Sequence, residues 1–96
     1  MSDRPKIIEV DVSQATSPEE LHGHLMVALS FPSFYGKNWD AFWDAITGLI
    51  DMPERLILHG WSQLEQRLPR EAKLLRQCLT EYNEYMPEAL CQTQYA

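Results

Sequence analysis

Two carboxylates one helical turn apart, Asp40 and Asp44, sit inside an aromatic run, Phe34-Tyr35-Gly36-Lys37-Asn38-Trp39-Asp40-Ala41-Phe42-Trp43-Asp44-Ala45-Ile46-Thr47-Gly48. Asn38 is a good N-cap, and from it the spacing predicts a helix that ends at Thr47-Gly48 or soon after. At about 100° per residue, Trp39, Phe42, Ile46 and Leu49 fall on one apolar arc. Asp40, Asp44 and Thr47 fall opposite, with Trp43 at the border. Carboxylates spaced i,i+4 repel each other, and a Lys at either position would have relieved the repulsion. The pattern presents negative charge beside an aromatic edge, which suits a basic pocket on a partner. A plainer reading competes with it. Asp40 lies in the first helical turn, where the macrodipole stabilises a carboxylate by about 0.3–1 kcal/mol, and charged stripes are usually solvated surface.

Other chemistries find less support. His22 and His24 are two residues apart on a helix, so their side chains diverge, and nothing is spaced to join His59 as a metal ligand. There is no glycine-rich phosphate loop, nucleophile elbow or Cys-His pairing. Paired acids also serve retaining glycosidases, which hold them about 5–5.5 Å apart. Two acids on one exposed helix of a short domain have nowhere obvious to enclose a sugar. No cofactor and no metal are expected.

With 14 acidic and 8 basic residues the net charge is -6, and the pI is near 4.9. Phosphate backbones and anionic membranes would repel such a chain, so neither nucleic acid nor membrane is an expected partner. A basic protein would be steered toward it. The length, 96 residues, suits a single domain over residues 1–96 that buries about 60–70% of its unfolded surface. Met1-Ser2-Asp3-Arg4-Pro5-Lys6 is polar and unlike a signal peptide. Cys78 and Cys91 are too few for a disulfide scaffold and read as reduced, buried thiols. The expected compartment is cytoplasmic.

The elements that must hold the aromatic run follow from periodicity. Ile7 to Val12 alternates as a strand with one covered face. Ser17, Pro18 and Glu20 read as N-cap, N1 and capping-box glutamate of a helix whose apolar face is Leu21, Leu25, Ala28 and Leu29. Gly36 supplies backbone freedom ahead of the second helix. Leu56-Ile57-Leu58 lacks alternation and reads as a central strand buried on both faces of a parallel sheet. Trp61 to Leu68 makes a short helix. A long one runs from Pro69 to about Tyr85, with Leu74, Leu75, Cys78, Leu79 and Tyr82 inward, and Ala89 to Tyr95 forms the last strand. The fold class is α/β: a small three-stranded parallel sheet with about four helices. On the long helix Arg70, Lys73 and Arg76 precede Glu81 and Glu84, the reverse of what the dipole prefers; the cost is small and ordinary surface variation would explain it, yet such a breach is a place to look for function.

The motif Phe34, Tyr35, Gly36, Asn38, Asp40, Ala41, Trp43, Asp44, Ala45, Thr47, Gly48 resembles the signature helix of the barstar family, intracellular inhibitors of barnase-like ribonucleases. The resemblance implies a three-stranded parallel sheet with helices in this order and a one-to-one complex with a basic ribonuclease, without catalysis by this chain. It implies that Asp44 takes the enzyme's phosphate site and Asp40 pairs with a neighbouring Arg. Phe34 and Trp43 would add apolar contact, Asn38, Thr47 and Gly48 would lie along the same surface, and Glu81 on the long helix would add a second charged contact. Against the family pattern, Phe34 stands for Tyr, Lys37 for an acid and Leu49 for Trp. The partner need not be barnase itself, and a toxin's immunity protein is one form of the same role. Two rivals stand beside this reading: an acidic interaction module for another basic protein, and, more remotely, a Mg²⁺-assisted enzyme using Asp40 and Asp44.

Overall fold

A computed structural model describes residues 4–96, so Met1, Ser2 and Asp3 of the polar N-terminus lie outside it. The order is β1 (Ile7–Asp11), α1 (Pro18–Leu29), α2 (Trp39–Asp44) continued by a π-helical turn (Ala45–Leu49), β2 (Arg55–His59), α3 (Trp61–Arg67), α4 (Pro69–Tyr85), a 3-10 turn (Pro87–Ala89) and β3 (Gln92–Tyr95). The three strands are parallel in the order β1-β2-β3. This is the expected α/β plan with four helices.

Strand order accounts for the distribution of the core. Both crossovers step in the same direction across the sheet, and crossovers of one hand then lie on one face. Val10, Leu56 and Leu58 point under the helices and are buried. On the other face Ile7, Glu9, Arg55, His59, Gln92 and Gln94 are exposed. There His59 Nε2 meets Glu9 Oε1 at 2.7 Å. The expectation that β2 is buried on both faces is therefore corrected: Ile57 is only half-buried, because its face carries no helix. β3 is also shorter than expected. Pro87, with φ fixed near the helical value, starts a 3-10 turn through Ala89 and delays the strand to Gln92.

The helix signals held, with two local revisions. The Ser17 hydroxyl accepts from the Glu20 amide at 3.1 Å. The Glu20 carboxylate reaches one residue further back than a capping box requires, accepting from the Thr16 amide at 2.9 Å and from the Thr16 hydroxyl. In the aromatic loop the left-handed residue is Lys37, with φ 51°, and not Gly36. A Cβ on Gly36 would instead come within 3.2 Å of Asn38 Nδ2, so the glycine makes room for the cap. Cys78 is half-buried and Cys91 buried, both as free thiols. Burial pushes each thiol up to about 11. Among the described residues no helix is long and apolar enough to cross a membrane.

Three polar devices tie the chain's distant parts together. Arg4 donates to four carbonyls: Nε to Met52 at 2.9 Å, and Nη2 to Pro53 at 3.1 Å, Leu90 at 2.7 Å and Ala89 at 3.4 Å. It thus joins the chain ahead of β1 to the loops that lead into β2 and β3. Asn83 pairs with the Cys91 backbone like a neighbouring strand, accepting from its amide at 2.8 Å and donating to its carbonyl at 2.9 Å. The third device lies beneath α2. His22 of α1, 1% exposed, bonds Tyr35 Oη through Nδ1 at 2.6 Å and packs against Trp39 with the rings tilted, 4.3 Å between centroids. Phe31 and Phe42 complete this aromatic platform.

Arg4→Ala should lower unfolding stability by about 1–3 kcal/mol in urea titration, since hydrogen bonds to charged groups are worth more than neutral ones. Arg4→Lys should not restore it, because a point charge cannot reach four carbonyls on two loops. His22 gives a pH prediction. Burial holds its pKa below the ordinary 6.5, against the smaller upward pull of Glu71 and with a small downward push from Lys37. Below that ordinary value the unfolded chain binds a proton that the native imidazole refuses. The stabilisation is thus complete above about pH 6.5 and is lost as pH falls toward the native value. Urea midpoints measured between pH 7.5 and 5 should fall for the wild type and fall less steeply for His22→Gln.

Candidate partner-binding face

Asn38 sets the start of α2. Its Oδ1 accepts from the Ala41 amide at 2.7 Å, and its Nδ2 donates to the Gly36 carbonyl at 3.2 Å. Asn38 therefore acts within the chain as the cap, which leaves little of its amide free for a partner. Phe42, Ala45 and Ile46 are buried beneath the helix. Trp39 is half-buried, and its indole Nε1 donates to Glu71 Oε1 of α4 at 3.0 Å. The other Glu71 oxygen accepts from Arg70 at 3.1 Å. This buried carboxylate, satisfied from both sides, pins α2 to α4 at a defined height.

Above that pin the two helices bound an open groove of about 500 Å³. α2 contributes Trp39, Asp40, Trp43 and Asp44; α4 contributes Leu74, Gln77, Cys78 and Glu81. Three carboxylates thus share a groove that holds no basic side chain. Among the described residues none of the three has an ion-pair partner. Glu81 accepts only a long bond, 3.3 Å, from Gln77. The negative field registers on Cys78, whose thiol is raised first by burial and then by Glu81 and Asp40. Glu84, the other acid considered on this helix, faces away and lines a different depression with Thr93 and Tyr95. A larger hollow of about 870 Å³ lies at the strand starts, lined by Arg4, Lys6, Glu54, Arg55 and Glu88 among others. Its acids and bases offset each other, and Arg4 is already engaged with carbonyls, so charge does not converge there.

The remaining expected contacts distribute unevenly. Phe34, 75% exposed, projects from the loop outside the groove. Thr47 spends its hydroxyl on the Trp43 carbonyl, at 2.7 Å, within the π turn. Gly48 is exposed, and a Cβ there would meet nothing within 4 Å. Internal packing therefore gives no reason for a glycine, whereas the close approach of another surface would. Leu49 departs from the apolar arc assigned to it and is 51% exposed. The Ile50 amide bonds the Ala45 carbonyl five residues back, at 3.1 Å. That widened turn slows the angular advance, so a count at α-helical spacing misplaces the last residue.

Sequence reasoning missed part of the α4 wall. Leu74 and Cys78 were expected in the core, yet they are half-buried and line the groove. Gln77 was not considered. Nor was Tyr85, whose ring lies 5.6 Å from that of Trp43. The row Gln77, Glu81, Tyr85 at i,i+4,i+8 was available as a signal, but nothing in the chain alone said which helix it would face.

The chain shares 45% identity over 56 residues with a Bacillus subtilis (strain 168) protein named "Putative ribonuclease inhibitor YrdF". The matched segment covers 58% of this chain and 60% of that protein, so the chain spans about three-fifths of its relative's length. The profile of the family described as "Barstar (barnase inhibitor)" matches residues 6–95. With that match over nearly its whole length, and with the parallel sheet and helix order just described, this chain belongs to the barstar family.

Proposed function

We propose that this protein inhibits a basic, barnase-like ribonuclease by inserting the acidic α2 face into the enzyme's RNA-binding site. The observation that carries the reading is the convergence of Asp40, Asp44 and Glu81 in one groove without an internal cation, in a chain of the barstar family. A ribonuclease of this kind holds RNA phosphate with arginine, lysine and histidine. Carboxylates on a fixed helix replace the phosphate with charge-assisted hydrogen bonds, which are short and about twice as strong as neutral ones. Asp44 takes the phosphate position, Asp40 pairs with a neighbouring arginine, and Glu81 closes the contact from α4. Trp43 and Phe34 exclude water around the charges, and Gly48 lets the partner's surface approach. The effect is occlusion, with no chemistry performed by this chain. The companion B. subtilis protein is named as a ribonuclease inhibitor, which supports the same class.

Pinning by Trp39 and Glu71 matters because the carboxylates are ordered before binding. A partner then need not bear the entropy of arranging them. The reading also accounts for the missing cations: an internal lysine would stabilise α2 slightly and would compete with the partner's own.

The test is titration of the purified protein into barnase and into any ribonuclease encoded beside it. Stoichiometric, one-to-one inhibition is expected. Asp44→Ala should weaken it by about 30-fold or more, the roughly 2 kcal/mol scale of interface hot spots, for which barstar's own aspartate is a known example. Glu84→Ala should leave it unchanged. Binding without inhibition would identify an acidic module instead, and turnover that requires Mg²⁺ would identify an enzyme. Because the groove's charges face solvent, association should slow by at least about tenfold between low salt and 0.5 M, as stopped-flow fluorescence of Trp43 would report.

A further inference from the structure

The acidic groove does not end the surface that α2 and α4 share. Gln77, Glu81 and Tyr85 stand one above another on α4 at i,i+4 spacing. Gln77 and Glu81 line the groove, and Tyr85 continues their row one turn further. The residue is 65% exposed, and its ring lies 5.6 Å from that of Trp43 at a 59° tilt, within the range of a favourable aromatic pair. Trp43 is half-buried, so it backs Tyr85 and limits its rotation. Tyr85 is the last residue of α4, and the Met86 amide still bonds the Tyr82 carbonyl beside it. This aromatic edge is therefore held on regular backbone.

The same chain shows what such a pair can accept. Trp61 and Tyr95 lie 4.6 Å apart, and the guanidinium of Arg76 sits over both, 5.3 Å from the indole and 4.1 Å from the phenol ring. The Trp43–Tyr85 pair repeats those residue types, and among the described residues no guanidinium covers it. Its surroundings favour a cation more strongly. Asp44 follows Trp43 directly, Glu81 is one turn before Tyr85, and the last turn of α4 carries no basic residue to meet its carbonyl end.

We propose that Trp43 and Tyr85 form a seat for an arginine of the partner, its guanidinium stacked on the Tyr85 ring while Glu81 supplies the counter-charge. A planar cation satisfies both the flat aromatic face and the carboxylate. A lysine ammonium would satisfy the charge and forgo the stacking. Tyr85 is then a specificity residue that selects ribonucleases by an arginine at the rim of their active site. This rests on the proposed inhibition and extends it.

The experiment measures inhibition constants for full-length Tyr85→Phe, Tyr85→Leu and Tyr85→Ala against barnase and any ribonuclease encoded beside this chain, with Asp44→Ala in parallel. Circular dichroism would confirm that each variant folds, which the exposure of Tyr85 favours. Against the cognate enzyme Tyr85→Phe should inhibit within about twofold of the wild type, while Leu and Ala weaken inhibition about tenfold. Leucine as good as tyrosine would reduce the contact to apolar area and overturn the proposal, as would an unaffected Tyr85→Ala. The parallel variant separates the two readings. If Asp44→Ala is silent while the Tyr85 series behaves as stated, the aromatic seat stands and the carboxylate's role fails. If no ribonuclease is inhibited, both fail together.

Discussion

A parallel sheet needs a helical crossover between each pair of strands, and here both crossovers fall on the same side. In the order β1-β2-β3 that constraint crowds every helix onto one face and forces α2 and α4 into contact. The contact is made at depth by the Trp39 indole and the Glu71 carboxylate, and at the surface it opens into the acidic groove. An indole donor with a carboxylate acceptor defines the spacing of the two helices better than apolar contact alone, since a slipped register would leave a buried charge unsatisfied. The position of Asp40 and Asp44 relative to Glu81 is inherited from that one bond and from the aromatic platform beneath it.

The groove works against the stability of the fold that carries it. Asp40 and Asp44 repel at i,i+4, and Glu81 and Glu84 stand toward the carbonyl end of α4, where a cation would have been better placed. Each effect is a few tenths of a kcal/mol for exposed groups, small beside the burial of Phe42, Leu75, Leu79 and Tyr82. The core can therefore sustain a poor electrostatic surface. What such a surface gains, under the proposed function, is a fast encounter with a basic partner, because clustered like charge raises association rates more than it raises final affinity.

Much of this was legible in the chain itself. Strand and helix identities followed from periodicity and caps, and Asn38 and Ser17 cap as their types suggest. The acidic character of α2 was equally plain. What escaped was anything set by tertiary geometry. Ile57 reads as two-sided core because a run of three apolar residues cannot say that one sheet face will lack helices. Leu49 reads as core because α-helical arithmetic cannot anticipate a π turn. Gln77, Cys78 and Tyr85 belong to a wall that exists only once α4 is laid against α2. Glu71 drew no reading from the sequence, and only the fold shows it holding the indole of Trp39.

In the proposed complex the groove and the aromatic edge divide recognition between them, which bears on how one inhibitor scaffold can serve different enzymes. Carboxylates aimed at a phosphate site exploit what every ribonuclease of this kind must keep, because the enzyme cannot abandon its cations without losing RNA. They confer affinity with little discrimination. An aromatic pair at the margin touches residues an enzyme is free to vary, so discrimination is cheaper to build there, and a flat ring distinguishes guanidinium from ammonium where a lone carboxylate does so weakly. On this argument Phe34, Lys37 and Leu49, which depart from the family pattern, and Tyr85 tune partner choice in the proposed complex, while the chemistry of the opposed enzyme constrains Asp40 and Asp44.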